Sequence, residues 1–376
     1  MKLRVVVLGA GFGGLELTSI LSEKMGNQLD LTLIDKNDSF FFGYSKLDVM
    51  FGYKPSDAVM ISYSSIVKPG VQFRKETITA IDPVKKIVTT QNGIYEADVL
   101  VVALGANYDM SATPGLAEYG NEYYSFAGAE KLRDVIPTFT NGHAIVGVCG
   151  APFKCPPAPS EAALMLHDYL CRAGVRDACK ISLVIPYASP IPPSPDSSRA
   201  LIQAFEERNI EFIPQRKVRS LSGKLAILDD GTELPFDLFL GIPKHVAPDV
   251  VLQSDLTESG WIPVNKTDLL TKFPNVYAIG DVTSVGTPKA GVFAEGAAKI
   301  AAASIIAAFD GKENNASYTG AGSCYIEFGG GKVARVDVDF FSGPKPYGTH
   351  HEASEAVAAD KEYFGSSRKA RWFGVA

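Results

Sequence analysis

Two sets of residues in this chain have the types and spacing to do chemistry. The first is Gly9, Gly11 and Gly14 in "LRVVVLGAGFGGLEL", followed by Asp35 at the end of "DLTLIDK". In a G-x-G-x-x-G turn the first glycine permits the tight bend, the second lets backbone approach a pyrophosphate, and the third lets helix and strand pack closely. An acid about twenty residues on can hold ribose hydroxyls. The second set is sulfur: cysteines stand at 149, 155, 171, 179 and 324, with no CxxC pair and no Cys/His spacing for a metal. An odd number in a reducing compartment does not build a structural disulfide framework, so any disulfide here is a working one.

These residues need elements to hold them. The first glycines lie between a β-branched strand and an apolar-periodic helix, whose N-terminus supplies unpaired N–H groups to phosphates. Further on, "YEADVLVVALGA" (95–106) is an apolar strand closing at Leu104-Gly105, and "FPNVYAIGDVTS" (273–284) is another that ends in Gly280-Asp281. A long alanine-rich helix starts near Ala290. These signatures, in this order, resemble those of the two-dinucleotide-binding-domain flavoproteins. The resemblance implies FAD, with Gly105 and Gly280 in its cradle and Asp281 on its ribityl chain and phosphate region. The helix dipole near Ala290, with Lys289 beside it, would stabilise charge on the reduced flavin. Otherwise Lys289 is a surface lysine at a helix start.

A second nucleotide-binding unit is expected from about 107 to 249, with its strand at "HAIVGVCGA" (143–151). Its turn is broken. "GVCGAPFKCPPAPSEAA" (147–163) carries prolines that remove N–H donors and delay the helix to about Pro159-Ser160-Glu161. The next strand ends in Pro186-Tyr187, where neither the acid for an NAD ribose nor the arginine for an NADP phosphate stands. Glu161 reads equally as a proton-transfer group or as an acid suited to a helix N-terminus. His245 reads as a satisfied loop histidine, and Cys149, Cys171 and Cys179 as structural.

The loop "APFKCPPAPSEA" closely resembles that of the sulfide:quinone oxidoreductases and the flavocytochrome c sulfide dehydrogenase flavoproteins. So do "GIPKHVAPDVV", "GWIPVN", "TPKAG" and "RWFG". The resemblance implies a redox pair of Cys155 and Cys324 over the flavin, oxidation of sulfide or a related small sulfur compound, and passage of electrons through FAD to a quinone. In that reading Cys324 lies nearest the flavin, Cys155 carries sulfane sulfur, and Lys154, Lys289 and helix termini keep the site electropositive. There are departures. Many sulfide:quinone oxidoreductases carry a third cysteine between about 107 and 140, absent here, and no cysteine follows the second strand to attach FAD, which is therefore expected to bind noncovalently. A type II NADH dehydrogenase-like enzyme and a redox-sensing flavoprotein without fast turnover are the alternatives.

The expected fold is α/β. It has two Rossmann-like domains, an FAD-binding one from 1–106 and 250–320 and the inserted one at 107–249, with a C-terminal β-containing region at 321–376. The proline-rich "YASPIPPSPDSS" (187–198) reads as a loop within the insertion. A net charge of −6 excludes a generic nucleic-acid surface. The N-terminal apolar run is too short for a signal-peptide core, and no segment reads as a membrane span, so the expected location is cytoplasmic. The end "FGSSRKARWFGVA" places basic residues beside Trp372 and Phe373. It reads as a peripheral dock at the inner face of the cell membrane, where a quinone is met, with Phe328, Phe340 and Phe341 as candidate quinone-pocket aromatics. Domain packing or a homo-oligomer contact is the other reading of that tail.

Overall fold

The computed structural model describes residues 2–375. Val5, Val6, Val7 and Leu8 are apolar and buried on both faces of the strand Leu3–Leu8, as a central parallel strand requires. Leu29–Asp35 and Val99–Val102 flank it, and Val71–Lys75 and Val276–Ala278 complete a five-stranded parallel sheet. The helix Phe12–Met25 links its first two strands and packs along the helix Gly291–Phe309. The latter is long and apolar enough to cross a membrane, with a mean hydropathy of 1.6, which the sequence reading passed over. Half of it is buried here, its alanines facing the first sheet's core.

A second parallel sheet runs Asn121–Glu122, Leu238–Ile242, Gly142–Val148, Cys179–Val184, Ile210–Ile213 in spatial order. Two Rossmann-like layers are therefore present, as expected. The helix Ala158–Arg172 connects the strands Gly142–Val148 and Cys179–Val184 and sends its N-terminus toward the first sheet's carboxyl edge. The proline-rich segment is only partly a loop. Ser194 accepts a hydrogen bond from the Ser197 N–H, and the helix Pro195–Glu207 begins there with proline in its first turn, where no N–H is missed.

The chain ends in an antiparallel sheet, Gly322–Gly329, Lys332–Asp339 and Tyr347–Ser354, followed by the helix Glu355–Phe373. One face of that sheet, with Ile326, Phe328, Val336 and Val338, joins the core of the second layer. The last helix returns to the first layer, and here Trp372 and Phe373 take the domain-packing reading of the tail rather than the membrane-docking one. Trp372 is completely buried, edge-on to Phe12 and Phe40 at 5.3 and 5.6 Å, and its indole N–H donates to Glu16 at 2.7 Å. Phe373 is buried beside it, while Arg371 pairs with Glu16 at 2.8 Å and Glu23 at 3.0 Å. Basic and aromatic residues alternate because one face enters the core and the other meets helix Phe12–Met25.

Candidate functional site

A cavity of about 870 Å³ opens where the carboxyl edge of the first sheet meets the second layer and the C-terminal sheet. Gly9 has φ +99°, and a Cβ there would lie 2.4 Å from the carbonyl oxygen of Ala103, so only glycine fits. Gly14 is tighter still: its Cβ would stand 1.9 Å from the Gly9 oxygen. Gly11 differs, because nothing lies within 4 Å of its would-be Cβ and it faces the cavity at the N-cap of helix Phe12–Met25. The Asp35 carboxylate closes the turn, accepting from the Ala10 N–H at 2.8 Å, and still lines the cavity.

Gly105 and Asp281 line the same cavity, while Gly280, with φ +77°, turns the chain immediately before Asp281. Burial raises the Asp281 carboxyl pKa against the opposing pull of Lys154, Lys289 and Lys46. These features fit FAD: an open glycine at a helix N-terminus for the pyrophosphate, an acid for the ribose, and a buried carboxyl group further along one continuous cavity. Lys289 needs correction. It does not line the cavity. Its ammonium donates to the carbonyls of Asp281 at 2.5 Å and Thr283 at 3.2 Å and lies 3.3 Å from the centre of the Trp261 ring. It holds the Asp281 turn in place, and burial lowers its pKa to about 8.

Cys155 and Cys324 face this one cavity, as free thiols. Cys155 sits at φ +51°, and its N–H donates to the carbonyl of Lys289 at 2.7 Å, tying the loop to the Asp281 segment. Burial, then the charge of Glu161, pushes its thiol to about 12. Burial raises Cys324 as well, and Cys155 adds to that shift. Cys324 stands on the strand Gly322–Gly329, opposite Val336. Cys149, Cys171 and Cys179 are not among the residues lining this cavity.

Glu161, in the first turn of helix Ala158–Arg172, also lines the cavity and accepts from the Glu327 N–H at 3.1 Å. Burial raises its pKa to about 7, with Lys361 pulling down and Glu327 pushing up. The buried Lys361 of the last helix donates to the partly buried Glu327 carboxylate, forming a pair behind Glu161. Sequence reasoning missed Glu327 and Lys361, and also Lys46, which faces the cavity and donates to the Tyr124 carbonyl. No local pattern marks them; Lys361 stands between Asp360 and Glu362 in a charged turn. His245, expected to be a satisfied loop histidine, is buried and only half satisfied: Nδ1 lies 2.9 Å from the Pro243 carbonyl, and Nε2 has no partner among the described residues. Phe328, Phe340 and Phe341 do not line the cavity; Phe340 packs on Phe293 and Phe341 on Tyr318.

In the second layer, the turn after Gly142–Val148 is packed rather than open. A Cβ on Gly147 would meet the Phe239 ring at 2.8 Å, and one on Gly150 would meet Lys244 at 2.7 Å. Phe153, buried in the loop, stacks on Tyr187 with ring centres 5.9 Å apart, filling the strand ends where a dinucleotide would lie.

A sequence profile described as pyridine nucleotide-disulphide oxidoreductase matches residues 3–304. The chain belongs to that family. It is an FAD-binding oxidoreductase. Among relatives, it is 24% identical over 360 residues to "Sulfide:quinone oxidoreductase, mitochondrial" of Mus musculus, covering 90% of this chain and 79% of the relative. It is 25% identical over 304 residues to the type II NADH:quinone oxidoreductase of Staphylococcus aureus, covering 75% and 74% of the two chains. The solved sulfide:quinone oxidoreductase of Aquifex aeolicus has the same fold, with a TM-score of 0.89 at 23% identity, over 99% of this chain and 92% of that one.

Proposed function

We propose that this flavoprotein oxidises sulfide, or a related small sulfur compound, through Cys155 and Cys324 and delivers the electrons to a quinone. The observation that carries the reading is the pair of thiols, 169 positions apart in sequence, on one FAD-sized cavity. Residues 1–106 and 250–320 form the FAD-binding unit, 107–249 the inserted one, and 321–376 bring the second cysteine.

In this mechanism, hydrosulfide attacks a Cys155–Cys324 disulfide; the S–S bond breaks, a persulfide forms on Cys155, and Cys324 leaves as thiolate. A second hydrosulfide removes the outer sulfur as hydrodisulfide and returns Cys155 as a thiol. Re-forming the disulfide releases one proton and two electrons, which reduce the quinone together with a further proton from solvent. FAD supplies the two-electron acceptor between thiols and quinone. Glu161 takes the thiol proton, because its raised pKa of about 7 lets it hold and release a proton near neutrality. Gly9, Gly11, Asp35, Gly105 and Asp281 hold the cofactor, Gly14 and Gly280 shape the turns beneath it, and Lys289 positions Asp281.

The filled turn at Phe153 and Tyr187 supports sulfide over NADH as reductant. An anaerobic titration tests this. Sulfide is expected to bleach the flavin absorbance of the wild type but not of Cys155→Ala or Cys324→Ala, and decylubiquinone to restore it. Bleaching by NADH that neither substitution affects would establish a pyridine-nucleotide enzyme instead.

A further inference from the structure

Two lysines of the cavity take no step in the mechanism above. Lys46, on the short helix Ser45–Met50, donates to the Tyr124 carbonyl and lies 5.9 and 5.6 Å from the Phe41 and Tyr124 ring centres. Lys154 precedes Cys155, with its ammonium 4.8 Å from the centre of the Tyr108 ring. Both face the cavity beside Cys155, and neither has a carboxylate within 4.0 Å among the described residues. Burial lowers the Lys46 pKa, with Tyr108 opposing the shift and Lys154 adding to it. Burial also opposes the charge on Lys154, but Tyr108 and Asp281 outweigh it. Asp281 is the acid whose charge reaches both, but it faces three ammonium groups, Lys46, Lys154 and Lys289, so the two half-buried amines leave an excess of positive charge that an anionic ligand relieves.

We propose that Lys46 and Lys154 form an anion subsite beside Cys155, which selects the ionised sulfur substrate, hydrosulfide or a hydropolysulfide, over its neutral conjugate acid. The aromatic walls of Phe41, Tyr108 and Tyr124 keep water from screening the two charges. The subsite therefore acts on a small monoanion that has shed most of its hydration. It also concentrates the nucleophile next to the sulfur it attacks, and it holds the departing hydrodisulfide, which is an anion too. The proposal rests on the sulfide reading, yet its subsite is defined by charge alone.

The experiment uses two alkylating probes of similar size on the reduced FAD-loaded enzyme, anionic iodoacetate and neutral iodoacetamide. Modification of Cys155 is followed by peptide mass spectrometry, with N-acetylcysteine as the reference thiol. The iodoacetate-to-iodoacetamide rate ratio at Cys155 is expected to exceed the reference by about five-fold or more. Lys46→Met and Lys154→Met should each remove most of that excess, and Lys46→Arg and Lys154→Arg should keep it. A ratio equal to the reference in wild type, or unchanged in both methionine variants, overturns the proposal. So does loss of bound FAD in those variants with the ratio preserved, which would assign the lysines to the cofactor. If the ratio depends on the lysines but sulfide fails to bleach the flavin, the anion subsite stands and the sulfide reading falls.

Discussion

Glu161 is where a single residue's surroundings set the chemistry. Its carboxyl group is held at about 7, mainly by burial, and its negative charge then raises the neighbouring Cys155 thiol. In Glu161→Gln that charge is gone at every pH. Alkylation of Cys155 by iodoacetamide should therefore be several-fold faster in this variant at pH 8.5 and should match wild type below about pH 6, where Glu161 is protonated. Stability follows the same proton. The folded state retains it above the ordinary value of 4.5, so stability falls as pH rises from 4.5 to about 7, by about 3 kcal/mol at most. Urea melts across that range should show a shallower fall in Glu161→Gln. Lys361 lowers the Glu161 pKa, so in Lys361→Met the alkylation difference should appear only at higher pH. That variant also leaves the partly buried Glu327 without its partner, at a cost of about 1–3 kcal/mol.

At the scale of elements, the first glycine turn was fully legible, because its conformation is dictated by space. Gly9 and Gly14 each approach backbone too closely for a Cβ, and that need is written into the sequence as a spacing. Gly14→Ala should lose FAD, seen as absent flavin absorbance after purification, since the Gly9 oxygen cannot move without opening the turn. The broken second turn was also legible, through its prolines. Lys289 was not. Its place beside a helix start suggested charge stabilisation, but its ammonium is engaged by two carbonyls of the Asp281 turn, a tertiary contact that no local pattern records. Lys289→Met should weaken FAD retention, measured by the cofactor's dissociation constant, without changing the pH dependence of Cys155 alkylation. Lys46, Glu327 and Lys361 escaped for the same reason: they come together from elements far apart in the chain.

The whole molecule is closed by its C-terminal segment. Tail residues that read as a membrane dock are instead a clasp, in which Trp372 fills the gap between Phe12, Phe40 and Phe42 and Arg371 bridges Glu16 and Glu23. Composition cannot separate the two readings, because an apolar face beside basic residues suits lipid headgroups and a carboxylate-bearing helix alike. Trp372→Ala should lower stability by about 3–5 kcal/mol, measured by denaturant unfolding, and loosen FAD because the indole packs on Phe12 at the mouth of the cradle. The same segment brings Cys324 to Cys155, and this bears on how the protein is made. At about 5–20 residues per second, a ribosome reaches Cys324 about 1–3 s after Phe309, the last residue of the first layer's helix, and the helix Glu355–Phe373 begins only about 1.5–6 s later. Both thiols are therefore on the chain before the clasp exists, and they are held on one cavity only when it shuts.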